Sequence, residues 1–236
     1  MKFPKPLIEG TLVKRYKRFL ADVRLKNGRV VVAHCANSGS MLSVDDPGAA
    51  VWLSEATNPE RKLRYTWEMI RIGKTLVGIN TQHPNRLVEE AIRNGTIEEL
   101  SGYATLRREV RYGKDSRIDL LLEDPKRPPC YVEVKNVTMK RDRSPKAPAE
   151  FPDAVTARGA KHLAELARVA DKGQRAVMVF LVQRDDAKSF APAADIDPAY
   201  ARALAAATAR GVEVLCYGCR LTPREIRVAG PVSFRL

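Results

Sequence analysis

Ser116-Arg-Ile-Asp-Leu-Leu-Leu122, then Glu123-Asp-Pro-Lys-Arg-Pro-Pro129, then Tyr131-Val-Glu-Val-Lys135 reads as strand, hairpin loop, strand. Ile, Leu, Val and Tyr dominate the two arms, and turn-forming residues fill the gap. If Leu122 pairs with Cys130, Asp119 falls opposite Glu133. Residues so opposed share a face, with Cβ atoms about 4.5–5.5 Å apart. Two anions at that distance destabilise a sheet unless something lies between them. A divalent cation is the usual answer, because Mg²⁺ favours one or two carboxylates with water and phosphate oxygens. Lys135 follows Glu133 by two residues and shares its face. Two carboxylates and a lysine around one point suit metal-assisted phosphodiester hydrolysis. Acids and lysines on strands more often face solvent. Against that, three leucines follow Asp119 and valines flank Glu133, a setting where a bare carboxylate is costly.

The chain has 236 residues and a net charge of +13. Residues 1–84 carry 14 Lys and Arg against 7 Asp and Glu, net +7; the longer remainder carries 27 against 21, net +6. Positive charge is therefore denser in the first part. This balance favours a polyanionic partner through phosphate neutralisation. No apolar run is long enough to span a bilayer, and Met-Lys-Phe-Pro-Lys-Pro is no signal peptide. A cytoplasmic protein without a membrane partner is expected, and a homodimer stays open. Of the cysteines, Cys216-Tyr-Gly-Cys219 has metal-like spacing, but it is half a zinc site with no second pair. Buried thiols without a disulfide are expected.

Residues 8–82 read as all-β. Phe19–Leu25 and Arg29–His34 flank Asn27-Gly28, a strong hairpin signal. Thr11–Lys14, Tyr65–Ile72 and Thr75–Ile79 bring the count to about five strands, which fits a five-stranded OB-type barrel. An SH3-like barrel is also compatible. From Asn85 the texture changes. Asn85 is a candidate N-cap for a helix over 86–93 that closes at Asn94-Gly95. The two strands of the hairpin follow. Thr138–Ala149, basic and proline-rich, reads as a mobile loop. A helix over 156–170, a buried strand over 176–182, a helix started by Asp197-Pro198 and ended by Gly211, and a strand over 212–217 complete an α/β pattern. The domains are therefore 1–84 and 85–236.

Several strings resemble the sugar fermentation stimulation protein A family (SfsA): Phe151-Pro-Asp-Ala-Val-Thr156 with Arg158-Gly159 and Lys161-His162-Leu163, Ser116-Arg117 with Asp119, Val132-Glu-Val-Lys-Asn-Val-Thr138, Asn80-Thr-Gln with Pro84-Asn85, Arg15 with Arg18-Phe19, and Ala36-Asn-Ser-Gly-Ser-Met41. The resemblance spans nearly the whole chain. It implies an N-terminal OB-like domain and a C-terminal domain of the PD-(D/E)XK nuclease superfamily, a mixed sheet flanked by helices. It also implies DNA binding and a link to sugar, especially maltose, metabolism. Asp119 takes the superfamily's Asp, and Glu133 and Lys135 take its Glu-x-Lys, although Ile118 stands where the motif's name has proline. Such nucleases often add an acid from the first helix; Glu89 and Glu90 both qualify, with Glu89 preferred.

Asp119, Glu133 and Glu89 would then hold Mg²⁺ or Mn²⁺, and Asp119, Glu133 and Lys135 would be catalytic. Arg158, Lys161 and His162 at a helix start would reach phosphates. On the barrel Arg15, Arg18, Phe19, Asn37 and Ser38 would hold DNA through its backbone, since basic grooves with aromatic platforms bind single strands. Each has a plainer reading, as a solvated charge or a core aromatic. The alternative function is a DNA-binding regulator that keeps a nuclease fold without cutting.

Overall fold

The structure, a computed structural model, describes residues 1–112 and 116–235. β1 (Ile8–Tyr16), β2 (Leu20–Leu25), β3 (Val30–Cys35), β4 (Ala50–Glu55), β5 (Tyr65–Ile72) and β6 (Thr75–Gly78) come first. β1 pairs antiparallel with β2 and β4, β2 with β3, and β4 with β5. Parallel pairing of β3 with β5 closes the ring. The turn between β2 and β3 places Gly28 at φ +83°, where a side chain would be strained. Leu12, Val23, Val51, Leu53, Trp67 and Ile70 fill the interior.

Five strands close the barrel, as the sequence pattern indicates, but the set differs. β4 is a member that the pattern misses, and β6 lies outside the ring as a hairpin on β5. β4 is apolar on both faces. Val51 and Leu53 point into the barrel while Trp52 packs against the second domain, so the alternation that marks a half-buried strand is missing.

The second part contains α1 (Pro84–Arg93), β7 (Thr105–Tyr112), β8 (Ser116–Asp124), β9 (Arg127–Val137), β10 (Ala149–Phe151), α2 (Ala157–Ala170), β11 (Arg175–Val182), β12 (Ser189–Pro192), α3 (Pro198–Ala209), β13 (Glu213–Thr222), β14 (Glu225–Pro231) and β15 (Ser233–Phe234). Its main sheet runs β14-β13-β11-β9-β8-β7. β9, β11 and β13 are parallel; β7, β8 and β14 join antiparallel. α1 covers one face through Leu87, Val88, Ala91 and Ile92. α2 and α3 cover the other through Leu163, Leu166, Tyr200 and Leu204. β11, covered on both faces, is the continuous apolar run expected of such a strand. β10, β12 and β15 form a small parallel sheet beside it.

Local chemistry sets the helix starts. The Thr156 hydroxyl accepts from Gly159 N at 3.1 Å, and Asp197 accepts from Tyr200 N at 2.9 Å. α1 departs from expectation: Pro84 is already helical, His83 occupies the cap position without a side-chain bond, and Asn85 does not cap. Thr138–Ala149 is also not the free loop its composition suggests. Met139 and Lys140 are buried, Lys140 Nζ donates to Asp186 O at 2.7 Å, and Arg141 pairs with Glu150 and Asp195. Most of those partners lie tens of residues away in the chain, so local composition cannot show them. The hairpin loop is shorter than expected as well. Asp124 pairs with Arg127, and Pro128 and Pro129 sit in a bulge opposite Glu123, where missing N–H groups cost no ladder bond.

Candidate functional site

The hairpin register is the expected one, Leu122 to Cys130 and Leu120 to Val132. There the pairing of β8 with β9 stops, although both strands run on with other neighbours. The strands part at the level of Asp119 and Glu133. Asp119 Oδ2 accepts the Val134 N–H at 2.7 Å, taking a donor that the ladder would otherwise use. The opening leads into a cleft of about 830 Å³ lined by both domains.

Glu133 is 2 % exposed. Its Oε1 accepts from Lys135 Nζ at 2.7 Å and lies in very short contact with His162 Nδ1. Its Oε2 is buried with no partner among the described residues. Burial works against the Glu133 charge, but the His162 hydrogen bond and the Lys135 ammonium outweigh it and hold the pKa below the usual carboxylate value. Asp119 goes the other way. Burial first, and the Glu133 charge second, raise it to about 6 against the help of Val134 N–H and Asn85. The two carboxylates are thus unequal: one is held charged by the His162 hydrogen bond and the Lys135 ammonium, and the other is disfavoured by burial and then by its neighbour. Oxygen donors of this kind suit a hard divalent ion. Among the described residues no three His, Cys, Asp or Glu side chains converge as a ready-made cage, so an ion here would rest on two carboxylates and water.

The remaining predicted residues divide. Arg158 and Lys161 line the cleft from α2, and Arg158 Nε reaches His162 Nε2 at 3.4 Å. Asn37 and Ser38 line it from the barrel. Asn37 is buried, with its amide spanning Gly39 N and Ile79 O, so it shapes the loop from within. Phe19 is 49 % exposed, which places it on the surface and not in the core. Arg18 is exposed in the same turn at φ +64°. Arg15 is not free for phosphate: its guanidinium donates to the carbonyls of Arg18, Asn37, Gly39 and Ser40. Glu89 lies outside the cleft, 2.9 Å from Arg93 and 3.7 Å from Arg108. The face that α1 buries leaves only its first turn at the cleft, so Glu89 is not a ligand beside Asp119. Glu90 is bound to the Met1 amine at 2.9 Å. Trp52 and Trp67 are core, and the four cysteines are buried with free thiols.

Three site residues escape sequence reasoning. Asn85 donates to Asp119 Oδ1 at 2.8 Å. Glu109 on β7 faces the cleft at φ +53°, skipped in the pairing of β7 with β8 opposite Asp119. Asp153 accepts Met41 N at 2.8 Å and, through its carbonyl, the Ser40 hydroxyl at 2.6 Å, fastening the barrel loop to the second domain. Asn85 reads as a cap, nothing in the sequence pattern marks Glu109, and only the Phe-Pro-Asp string signals Asp153.

An OB barrel fused to an α/β domain whose mixed sheet is flanked by helices, with paired acids and a lysine where the sheet opens, defines the class. The comparisons name the family. Residues 13–79 match the model of the SfsA N-terminal OB domain, and residues 82–225 that of the sugar fermentation stimulation protein RE domain. A sugar fermentation stimulation protein homolog of Rhodospirillum rubrum is 63% identical over 230 residues, covering 94% of each chain. One of Paramagnetospirillum magneticum is 58% identical over 236 residues, covering 100% of this chain and 98% of its own. A solved structure described as Pyrococcus furiosus SfsA in complex with Ca²⁺ superposes with a TM-score of 0.88 at 28% identity, covering 100% of this chain and 98% of that one. The chain belongs to the sugar fermentation stimulation protein family.

Proposed function

We propose that this protein is a Mg²⁺- or Mn²⁺-dependent phosphodiesterase acting on DNA, with Asp119, Glu133 and Lys135 at its reaction centre. The observation that carries the reading is the pair of carboxylates facing one cleft where two strands part, one with a buried oxygen that lacks a partner among the described residues. Asp119 and Glu133 would hold the ion. When bound, it would polarise a scissile phosphate and lower the pKa of a water. The relative described with Ca²⁺ supports an oxygen-donor cation site in this fold. Lys135 sets a positive charge 2.7 Å from Glu133 Oε1, placed to offset charge that builds up on a phosphate in the transition state. His162 fixes the Glu133 carboxylate from the side of α2. Arg158 and Lys161 offer charge-assisted bonds to flanking phosphates, and the net +13 favours a polyanion.

The second reading is a DNA-binding regulator of sugar metabolism that does not cut. It is favoured by the occupation of Glu133 Oε1 by both Lys135 and His162 and by the name the relatives carry. Digestion of plasmid and single-stranded DNA with Mg²⁺ or Mn²⁺ separates the two. Wild type is expected to cut and Asp119→Ala to lose at least about a hundredfold in rate, the scale on which removing one stabilising group acts. Equal cutting by both proteins would assign the activity to a contaminant. Calorimetric Mn²⁺ binding by wild type without any cutting would favour the regulator.

A further inference from the structure

The barrel does not merely sit beside the cleft; it supplies one wall. Asn37, Ser38 and Gly39 face Asp119, Glu133 and Lys135 across it. That wall is rigid. Arg15 gathers the carbonyls of Asn37, Gly39 and Ser40, and Asp153 takes Met41 N and Ser40 Oγ from the far side. A Cβ on Gly39 would lie 2.8 Å from the Asp153 carboxylate, so loop and second domain are in close contact. The cleft between these walls, about 830 Å³ and open on one side, is in the small-molecule size class. It admits a nucleotide or so with its phosphate, and a duplex is too wide to bring its backbone down to a carboxylate as buried as Glu133.

A track leads out of the cleft along the barrel. Ser38 is exposed at the rim. The backbone of Phe19 is bonded to Cys35 N at 2.7 Å. Arg15 ties the two segments together, donating to Arg18 O at 3.3 Å and to Asn37 O at 3.1 Å, so the Phe19 turn lies next to the Asn37 loop. Phe19 is an exposed aromatic in a turn with exposed Lys17 and Arg18, the composition on which unpaired bases stack while cations follow the backbone. We infer that the substrate is a single-stranded or unpaired segment, threaded between the domains with its scissile phosphate at Asp119 and Glu133 and a neighbouring base stacked on Phe19. This deepens the phosphodiesterase reading and rests on it for the chemistry, but not for the binding geometry.

The test has two arms. In EDTA, with salt near 0.15 M, a labelled single-stranded 15-mer is titrated against the blunt duplex of the same sequence. Tighter binding of the single strand is expected, and Phe19→Ala should weaken it about tenfold, as loss of one stacked base does, while changing duplex affinity less than twofold. Equal affinity for both forms, or indifference of the single strand to Phe19→Ala, overturns the inference. With Mn²⁺, a duplex carrying a single-stranded arm should be cut in the arm and at the junction. Uniform cutting through the paired region overturns the inference while leaving hydrolysis intact. Absence of any cutting removes the phosphodiesterase reading, and the EDTA arm still decides the mode of binding.

Discussion

At the scale of single residues, Arg15 and Asp119 show charge used in opposite ways. Arg15 sits among the basic residues of β1, and its sequence neighbours suggest a phosphate contact. Its four bonds to carbonyls make it a clamp instead. Arg15→Ala should therefore cost about 2 kcal/mol in urea unfolding and speed amide exchange at Gly39 and Met41. Arg15→Lys should not restore stability, since an ammonium cannot span the fork. A phosphate-binding role would instead lower DNA affinity at unchanged stability. Asp119 is raised from 3.8 to about 6, so between those values the folded state holds a proton that the unfolded chain has released. Stability then falls as pH rises through that range, and the cost is complete above about 6. It amounts to about 3 kcal/mol at most. Asp119→Asn should thus raise the melting temperature at pH 8 in EDTA, with the gain fading toward pH 4. The new amide can keep Val134 N–H on its oxygen if Asn85 turns its own carbonyl toward it. Added Mn²⁺ should stabilise wild type and not the variant; a variant no more stable than wild type at pH 8 would mean that neither burial nor Glu133 disfavours the Asp119 charge.

At the scale of elements, legibility followed how local the determining chemistry is. α2 could be read because its cap, Thr156, and its apolar face lie within fifteen residues, and β11 because burial on both faces leaves an unbroken apolar run. Thr156→Ala should cost about 1 kcal/mol and loosen the first turn, which carries Arg158 and leads to His162; Thr156→Ser should be nearly neutral. An equal loss from both would put the stabilisation in the Thr156 methyl, which packs near Gly159. β7 was missed for the opposite reason. Its Thr-Leu-Arg-Arg-Glu-Val-Arg-Tyr is mostly exposed, and the left-handed Glu109 interrupts the alternation opposite Asp119. The acid pair on β8 and β9 was visible because register follows from the hairpin. The helix contribution was misplaced because nothing in Pro84–Arg93 reveals that the first turn, and not the second, meets the sheet opening.

At the scale of the whole molecule, the two domains share an interior. One apolar cluster joins Trp52 and Met69 of the barrel to Leu87, Leu120, Leu122 and Val179 of the second domain. Gly78 N donates to Gln183 O at 2.9 Å, and Gln183 also reaches Asn80 O and Asn136. Buried Glu68 of β5 binds Asn80 at 2.8 Å and His83 at 2.7 Å, holding the segment between the domains onto the barrel. Separating the parts would bare those apolar side chains and leave the polar ones without partners, each a cost of about 1–3 kcal/mol. Independent melting of the barrel is therefore unfavourable even though its own strands close. Scanning calorimetry should show one transition, with calorimetric and van't Hoff enthalpies equal for the full chain. Glu68→Ala should lower that single transition, because it removes a buried carboxylate from Ser54, Asn80 and His83 together. Two resolved transitions, with only the lower one moved by Glu68→Ala, would show that the domains fold separately. The cleft would then be an assembly of two mobile parts, and the rigid wall on which the proposed preference for an unpaired strand rests would be lost.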